Sequence, residues 1–421
     1  MNNFTTNTYE MKREIVNFSK KIAENLNNPT TKFVMDIQYG LAKGGSCLIS
    51  NIARNLDENI KLNYTIDRLC DNLSNLHKNE KDKIWNNYLN EVSKCINKDE
   101  AIVLFDDSDI NKEYSKKLED LDRVIDASSK DKKIVNGYHV CEATVLSKNK
   151  KQPISIYSKI YSCKSHNFIS KNTYTMESIE AAEKLIGEKF TGIFDRGYDD
   201  NKIFKYMSDK QHKFVIRLDD ERKLIFKGKK RSVGDVASSR KGKISYKALF
   251  NNNEEYELML SYTKAILPYN KKEYTLVIVY GLSETKPMKL LTNIEIKDKE
   301  DVIKIVRLYL SRWRIEEHFR GKKQEYDFEN MRVRTLESMN NLNMMLTIHL
   351  GHIAILADNI DKKLLTIKII YASKSLKEKA IVWLSQIAKG IKEILIHAHN
   401  GIREWKNIEK REKYKQLSLK L

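Results

Sequence analysis

Proline and glycine are scarce in this chain, 4 and 15 of 421 residues, which excludes a collagen-like or low-complexity polypeptide. Cysteine is scarcer than glycine. The five present (Cys47, Cys70, Cys95, Cys141, Cys163) are odd in number, scattered and without a CxxC pair. That argues against both a disulfide scaffold and a zinc site, and for reduced thiols in a cytoplasm. Long apolar runs are missing as well. AIVLF near residue 101 and MMLTIHLGHIAIL near residue 344 fall short of the ~20 residues a bilayer-spanning helix needs. MNNFTTNTYEMKREI at the N-terminus lacks an apolar signal core. A soluble, cytoplasmic chain with no membrane partner is expected.

Acidic charge is in deficit: 57 Asp and Glu face 76 Lys and Arg, a net +19. A hydrophobic fraction of 41% excludes a disordered chain, and the length suggests two to four domains. The excess charge is concentrated. Residues 221–250 hold ten basic and two acidic residues, Lys227, Lys229, Lys230 and Arg231 among them, and the tail from Asn359 to Leu421 is also basic. A solvated surface in a Lys-, Asn- and Ile-rich chain would look the same. Double-stranded DNA is the better expectation, because Lys and Arg contacts to phosphate supply most non-specific affinity. Nothing points to a small-molecule substrate.

Changes in hydrophobic period mark the organisation. Residues 1–95 read as helices, with Phe33, Val34, Ile37 and Leu41 on one face. KGGS at 43–46 breaks the pattern, Ser46 is a plausible N-cap for 47–56, and a further helix covers 65–76. With Lys61 and Arg68 on the third helix, this resembles a helix-turn-helix DNA-binding arrangement, although a small helical bundle reads the same. AIVLF then suggests a strand buried on both faces that ends abruptly at DDSD. Residues 134–146 and 153–162 suggest a hairpin, followed by a helix, the strand TGIFD, a helix around 201–210 and the strand HKFVIRL. Residues 224–294 turn β-rich, 299–323 reads as one strong helix, and the rest from 336 is helical.

Two acidic clusters, FDDSDI (105–110) and FDRGYDD (194–200), lie just past buried strands, where an α/β sheet presents its functional groups. Each taken singly also fits a strand-ending turn. The 299–323 helix adds YLSRWRIEEHFRGKK. At roughly 100° per residue, Tyr309, Arg312, Glu316 and Lys323 fall within a stripe about 60° wide, with Glu317 about 80° away. An acid among cations and a hydroxyl suits metal and phosphate together. An ion-paired surface helix would show the same spacing.

Tyr309-(2)-Arg312-(3)-Glu316-(6)-Lys323 resembles the Y-(2)-R-(3)-E-(6)-K signature of DDE transposases of the bacterial IS-four family. FDDSDI is similar to that family's first-aspartate motif and TGIFDRGYDD to its second. Their order, and the β-rich stretch between Asp195 and Glu316, agree over roughly residues 30–355. The resemblance implies a mixed α/β (α+β) fold: a ribonuclease-H-like core, a mixed five-stranded sheet with helices, interrupted by a β-rich insertion and flanked by helical N- and C-terminal regions. The expected division is 1–95 helical and DNA-binding, 96–222 first part of the core, 223–296 insertion, 297–335 the signature helix, and 336–421 helical and basic. It further implies that Asp106, Asp195 and Glu316 are catalytic and hold two Mg²⁺ ions, which Mn²⁺ could replace. Asp107 and Asp109 compete with Asp106, whose register fits best. Tyr309, Arg312, Lys323 and, more weakly, Arg217 would bind DNA phosphate. The implied activity is cleavage at element ends and strand transfer into target DNA by a nucleoid-associated enzyme, as a homodimer on the inverted repeats. A related nuclease or a non-catalytic DNA-binding derivative are the alternatives.

Overall fold

The apolar run at 101–105 becomes the start of a ten-residue strand, β1 (Ile102–Asn111), in the computed structural model of the chain. The structure describes residues 2–126, 131, 133–149, 151–249, 255–282, 286–359, 364–374, 383–396, 398 and 401–402. Contrary to the sequence expectation, β1 does not stop at the acidic cluster. Its parallel pairing with β5 (Thr191–Phe194) ends at Phe105 opposite Phe194. Its antiparallel pairing with the long strand β3 (Ile134–Leu146) runs on from Val103 to Asn111. The longer partner therefore carries the aspartates within the sheet.

β3 pairs on its other side with β4 (Pro153–Tyr161) and with the short edge strand β2 (Asp122–Ile125), which the sequence reading missed. β6 (Lys213–Arg217) continues the parallel side next to β5. The order β4-β3-β1-β5-β6, with the first three strands antiparallel and the last two parallel to β1, is that of a ribonuclease-H-like sheet. α6 (Lys171–Ile186) packs on β3 and β4, and α7 (Asn201–Asp209) on β6.

The β-rich stretch is an insertion in sequence but an extension in space. It comprises β7 (Lys223–Phe226), β8 (Lys229–Ser232), the short α8 (Val233–Ser238), β9 (Ile244–Leu249), β10 (Glu255–Ile266), β11 (Glu273–Tyr280) and β12 (Met288–Thr292). β12 pairs antiparallel with β6, so all these strands join the core in one sheet of twelve among the described residues. The β7–β8 turn needs positive φ at both Lys227 (49°) and Gly228 (74°), the conformation of a two-residue primed turn. That turn projects the exposed Lys227, Lys229, Lys230 and Arg231 together.

Five helices precede the sheet: α1 (Asn2–Ile22), α2 (Asn28–Gly44), α3 (Ile49–Asn55), α4 (Leu62–Ser74) and α5 (Lys78–Ser93). Gly45, at φ 59°, ends α2, and its N–H bonds the Leu41 carbonyl. Ser46 does not cap α3. Leu48 is the N-cap, and Ser46 Oγ accepts its N–H at 3.2 Å. Arg68 does not face outward for DNA either: it pairs with Asp36 and Glu58 at 2.7 Å each. The sheet is followed by α9 (Lys299–Leu310), α10 (Trp313–Arg320), α11 (Leu336–Asp358), α12 (Leu364–Ala372) and α13 (Leu384–Ile396). α2 packs on both α11 and α13, so the first and last helical stretches, read separately in the sequence, form one layer. Of the basic tail from 359, residues 360–363, 375–382, 397, 399–400 and 403–421 lie outside the described residues. Among the described residues no helix is long and apolar enough to cross a membrane.

Tyr88 of α5 fastens this layer to the sheet by donating to the Ser155 carbonyl at 2.8 Å. Its buried ring runs so close to Gly351 of α11 that a Cβ there would lie 2.1–2.6 Å from the hydroxyl and ring carbons. Gly351→Ala should therefore lower stability by about 1–3 kcal/mol, although alanine in a helix gains up to ~1 kcal/mol over glycine. Thermal unfolding of the two proteins checks this; a raised Tm would show that the ring moves freely aside.

Candidate active site

Because the β1–β5 ladder ends at Phe105 and Phe194, Asp106, still within β1, and Asp195, just past β5, follow it side by side at about the 4.8 Å strand spacing. The two phenylalanine rings stack beneath them with centroids 4.4 Å apart. Strand alternation sends Asp106 to one face and Asp107 and Asp109 to the other. Asp106 meets Arg312, at 2.7 Å between Oδ2 and Nη1. Asp107 meets Lys171 of α6 at 2.6 Å, and Asp109 meets His139 at 2.9 Å.

The predicted single helix over 299–323 is interrupted. α9 ends at Leu310, Arg312 and Ile315 make tightened i→i+3 bonds, and α10 is followed by a π-helical turn, Gly321–Glu325. Three of the four signature residues still converge. Tyr309 Oη donates to Asp195 Oδ1 at 2.9 Å. Arg312 joins Asp106 to Glu316, binding each through a different Nη atom. Arg217, at the end of β6, lies 3.8 Å from Asp195. Lys323 departs from the stripe, because the π turn adds a residue to its last turn, and it pairs with Glu329 at 3.1 Å. Glu317 points away and pairs with Arg320, leaving Glu316 as the carboxylate of the site.

The two aspartates have opposite proton affinities. Burial, reinforced by the neighbouring Asp195 and Asp107 charges, raises Asp106 to about 7 despite Arg312. Burial also works on Asp195, but Arg312, the Arg196 amide and the Tyr309 hydroxyl hold it below its usual value. Carboxylates side by side resist simultaneous ionisation unless a cation joins them. Three carboxylates, all oxygen donors, with Glu316 open to solvent, suit a hard divalent cation such as Mg²⁺. Arg312 supplies the positive charge at that point.

The sequence reading missed what holds α10 against the sheet. Opposite Asp106 on β3 sits Glu142, wholly buried. Its carboxylate accepts from Lys322 at 2.6 Å, from Ser155 at 2.5 Å and from Ser158 at 2.8 Å. His318 lies 3.0 Å from it and must donate through Nε2, since a carboxylate only accepts. Lys322 also donates to Asn343 of α11 at 3.2 Å. Burial opposes the charge on Glu142, yet Lys322 and His318 bring its carboxyl down to about 2. Its one signal in the sequence is an acid inside the apolar strand run VCEATVL. His349 and His352 take no part in the site. His349 lies 2.9 Å from the Tyr326 hydroxyl, and His352 stacks on Phe18.

Residues 169–350 match the family model of the transposase DDE domain. The matched stretch contains Asp195, Arg217, Tyr309, Arg312, Glu316 and Lys323, and stops short of Asp106. That stretch is similar to a transposase catalytic domain. No curated protein matches the chain. Among solved structures, a piggyBac transposase synaptic complex with hairpin DNA is similar at 12% identity and a TM-score of 0.44, over 92% of this chain and 77% of that one.

Removing one partner of the buried pair should be costly. Glu142→Gln and Lys322→Met should each destabilise by about 3–5 kcal/mol, because each strands the other's charge. The double variant Glu142→Gln/Lys322→Met should cost less than the two together, which chemical denaturation measures directly. Glu142 is depressed in the folded state, so its contribution is full above the unfolded value of about 4.3. It is lost as pH falls towards about 2. The double variant should therefore lose less stability than the parent across that window; parallel acid-unfolding curves would refute this.

Proposed function

We propose that the protein is a DDE transposase of the IS-four kind, which cuts DNA at the ends of a mobile element and joins the freed 3′-OH to target DNA. The reading rests on Asp106, Asp195 and Glu316 meeting around one guanidinium at the edge of a ribonuclease-H-like sheet. The match of residues 169–350 to the transposase DDE domain supports it independently.

The three carboxylates would hold Mg²⁺, with Mn²⁺ an acceptable substitute. The bound metal supplies activation of the attacking oxygen and stabilisation of the leaving one. The chain's own residues do the rest. Arg312 balances the carboxylates in the unloaded site. Once those carboxylates hold a cation, the two Nη groups of Arg312 would be released to two oxygens of one phosphate, a bidentate geometry lysine cannot reproduce. Tyr309 orients Asp195 through its hydroxyl. Arg217 flanks the same carboxylate from the open side and would grip the cleaved strand, and Lys323, about two turns beyond Glu316 beside Glu329, would contact phosphate farther along. The basic β7–β8 hairpin would hold flanking duplex. The DNA partners would be the inverted repeats and the target, in a homodimer that processes two ends together within the cytoplasm.

Glu316→Gln should lower Mg²⁺-dependent cleavage of a labelled element end by more than ~100-fold, since losses beyond the ligand shell already cost about 10–100-fold. End binding in a gel-shift assay should hold or tighten. Glu317→Gln, in a residue paired with Arg320, should be near neutral. The opposite ranking would overturn the assignment. Cleavage without strand transfer would mark a nuclease on the same core, and binding without either a non-catalytic DNA-binding derivative.

Salt dependence tests the hairpin. Replacing Lys227, Lys229, Lys230 and Arg231 by alanine should flatten the slope of log affinity on log salt. The change should reach about 0.9 for each phosphate that those side chains neutralise. An unchanged slope would make the hairpin a solvated surface only.

A further inference from the structure

The sheet face that Asp109 shares carries a second group of ligand-type side chains beside β1. Asp122 opens the edge strand β2, His139 lies in β3, and Cys163 follows β4 by two residues. One ligand atom from each lies within 4.8 Å of the others. His139 Nε2 stands 3.9 Å from Asp122 Oδ2. The imidazole is already oriented: Nδ1 is 2.9 Å from Asp109 Oδ1, and since the carboxylate only accepts, that nitrogen carries the proton. In the neutral ring Nε2 then keeps its lone pair, and this nitrogen is the one nearer Asp122. The ring is also braced by stacking on Tyr161, with centroids 5.3 Å apart. Asp122 is fixed by backbone N–H donors, Arg123 to Oδ1 at 2.8 Å and Cys163 to Oδ2 at 2.6 Å. Ser162 Oγ approaches the same Oδ2 at 3.4 Å.

We propose that Asp122, His139 and Cys163 form a binding site for a borderline-soft divalent cation, of which Zn²⁺ is the best fit, separate from the carboxylate site that faces Arg312. Sulfur, imidazole and carboxylate donors select such an ion over Mg²⁺. Tetrahedral zinc with bonds of about 2.0–2.3 Å places its ligand atoms roughly 3.3–3.8 Å apart, so a small inward movement closes the site. Asp109 is its outer partner, in the carboxylate–histidine–metal arrangement that fixes a ligand's tautomer. The exposed Cys163 leaves the fourth position open to water. The cation would tie the edge strand β2 and the exit of β4 to β3. Cysteine spacing alone gave no sign of it, because the three ligands come from separate stretches of the chain and only one is a cysteine. The proposal does not depend on the transposase reading.

Cobalt titration of the full-length protein tests it. One equivalent of Co²⁺ should produce a thiolate-to-cobalt charge-transfer band that Zn²⁺ abolishes and excess Mg²⁺ does not. Cys163→Ser should remove the band, whereas Cys141→Ser and Glu316→Gln should keep it. Asp109→Asn should weaken Co²⁺ affinity about 10–100-fold while the band persists at saturation. Absence of the band in the parent protein, or its survival in Cys163→Ser, would overturn the site. Should Cys163→Ser fail to fold, alkylation of the parent decides instead. Zn²⁺ should slow iodoacetamide labelling of Cys163, read by peptide mass spectrometry, more than ~10-fold, as expected of a coordinated thiolate withdrawn from reaction. An unchanged labelling rate would refute the proposal.

Discussion

One buried ion pair carries the geometry of the candidate active site. Glu142 in β3 and Lys322 just beyond α10 are both wholly buried, 2.6 Å apart. Two charges in so dry a place are tolerated only when every lone pair and proton is used, and here they nearly are: His318, Ser155, Ser158 and Asn343 complete the set. The pair need not add net stability over an apolar core. What it adds is position, because an apolar contact could slide and this network cannot. Lys322 stands nearly two turns from Glu316, so fixing it fixes the face that α10 turns towards Asp106. Gly321 permits the approach from the other side, since a Cβ there would lie 2.4 Å from Leu384 of α13.

Around that frame the carboxylates are arranged so that they can coexist. Asp106 and Asp195 sit on neighbouring strands, and burial and their repulsion push Asp106 towards protonation even with Arg312 beside it. Arg312 reaches Asp106 and Glu316 at once and lies near enough to Asp195 to lower it. The guanidinium is permanently charged, so it links the carboxylates at any ordinary pH. The asymmetry between the two aspartates follows from what each receives. Asp195 takes the Tyr309 hydroxyl and the Arg196 amide, while Asp106 is more deeply buried and takes only Arg312 and the Asp107 amide.

Much of this was legible from the sequence because it depends on local pattern. The buried runs AIVLF, TGIFD and HKFVIRL are strands, and an acid at the end of the first two is a local feature. Helical spacing brought Tyr309, Arg312 and Glu316 together despite the tightened turn at 311–312, since an i→i+3 turn alters the angle only slightly. It failed at Lys323, where a π turn intervenes that periodicity cannot foresee. The extent of β1 was misread because its end is set by β3, a partner distant in the chain. Arg68 was misread for the same reason. Its partners Asp36 and Glu58 come from elsewhere in the helical layer, so an apparently free cation is an internal tie. Glu142 and Lys322 were invisible as a pair, being 180 residues apart.

The continuation of β1 past the end of β5 has one more consequence. Had the strand stopped with its parallel partner, the acidic cluster would have been a turn with all three aspartates free to approach one site. Held in the antiparallel ladder, alternate residues are committed to opposite faces. Asp106 goes to Arg312 and the signature helix, while Asp107 and Asp109 go to Lys171 and His139. The same close spacing that made the first motif ambiguous as text therefore separates two chemistries in space. One face gathers oxygen donors around a guanidinium, suited to a hard cation and phosphate. The other offers an imidazole, a carboxylate and a thiol, suited to a softer ion. The sheet backbone between them keeps the two ligand sets from mixing, and the length of β3 is what makes that partition possible.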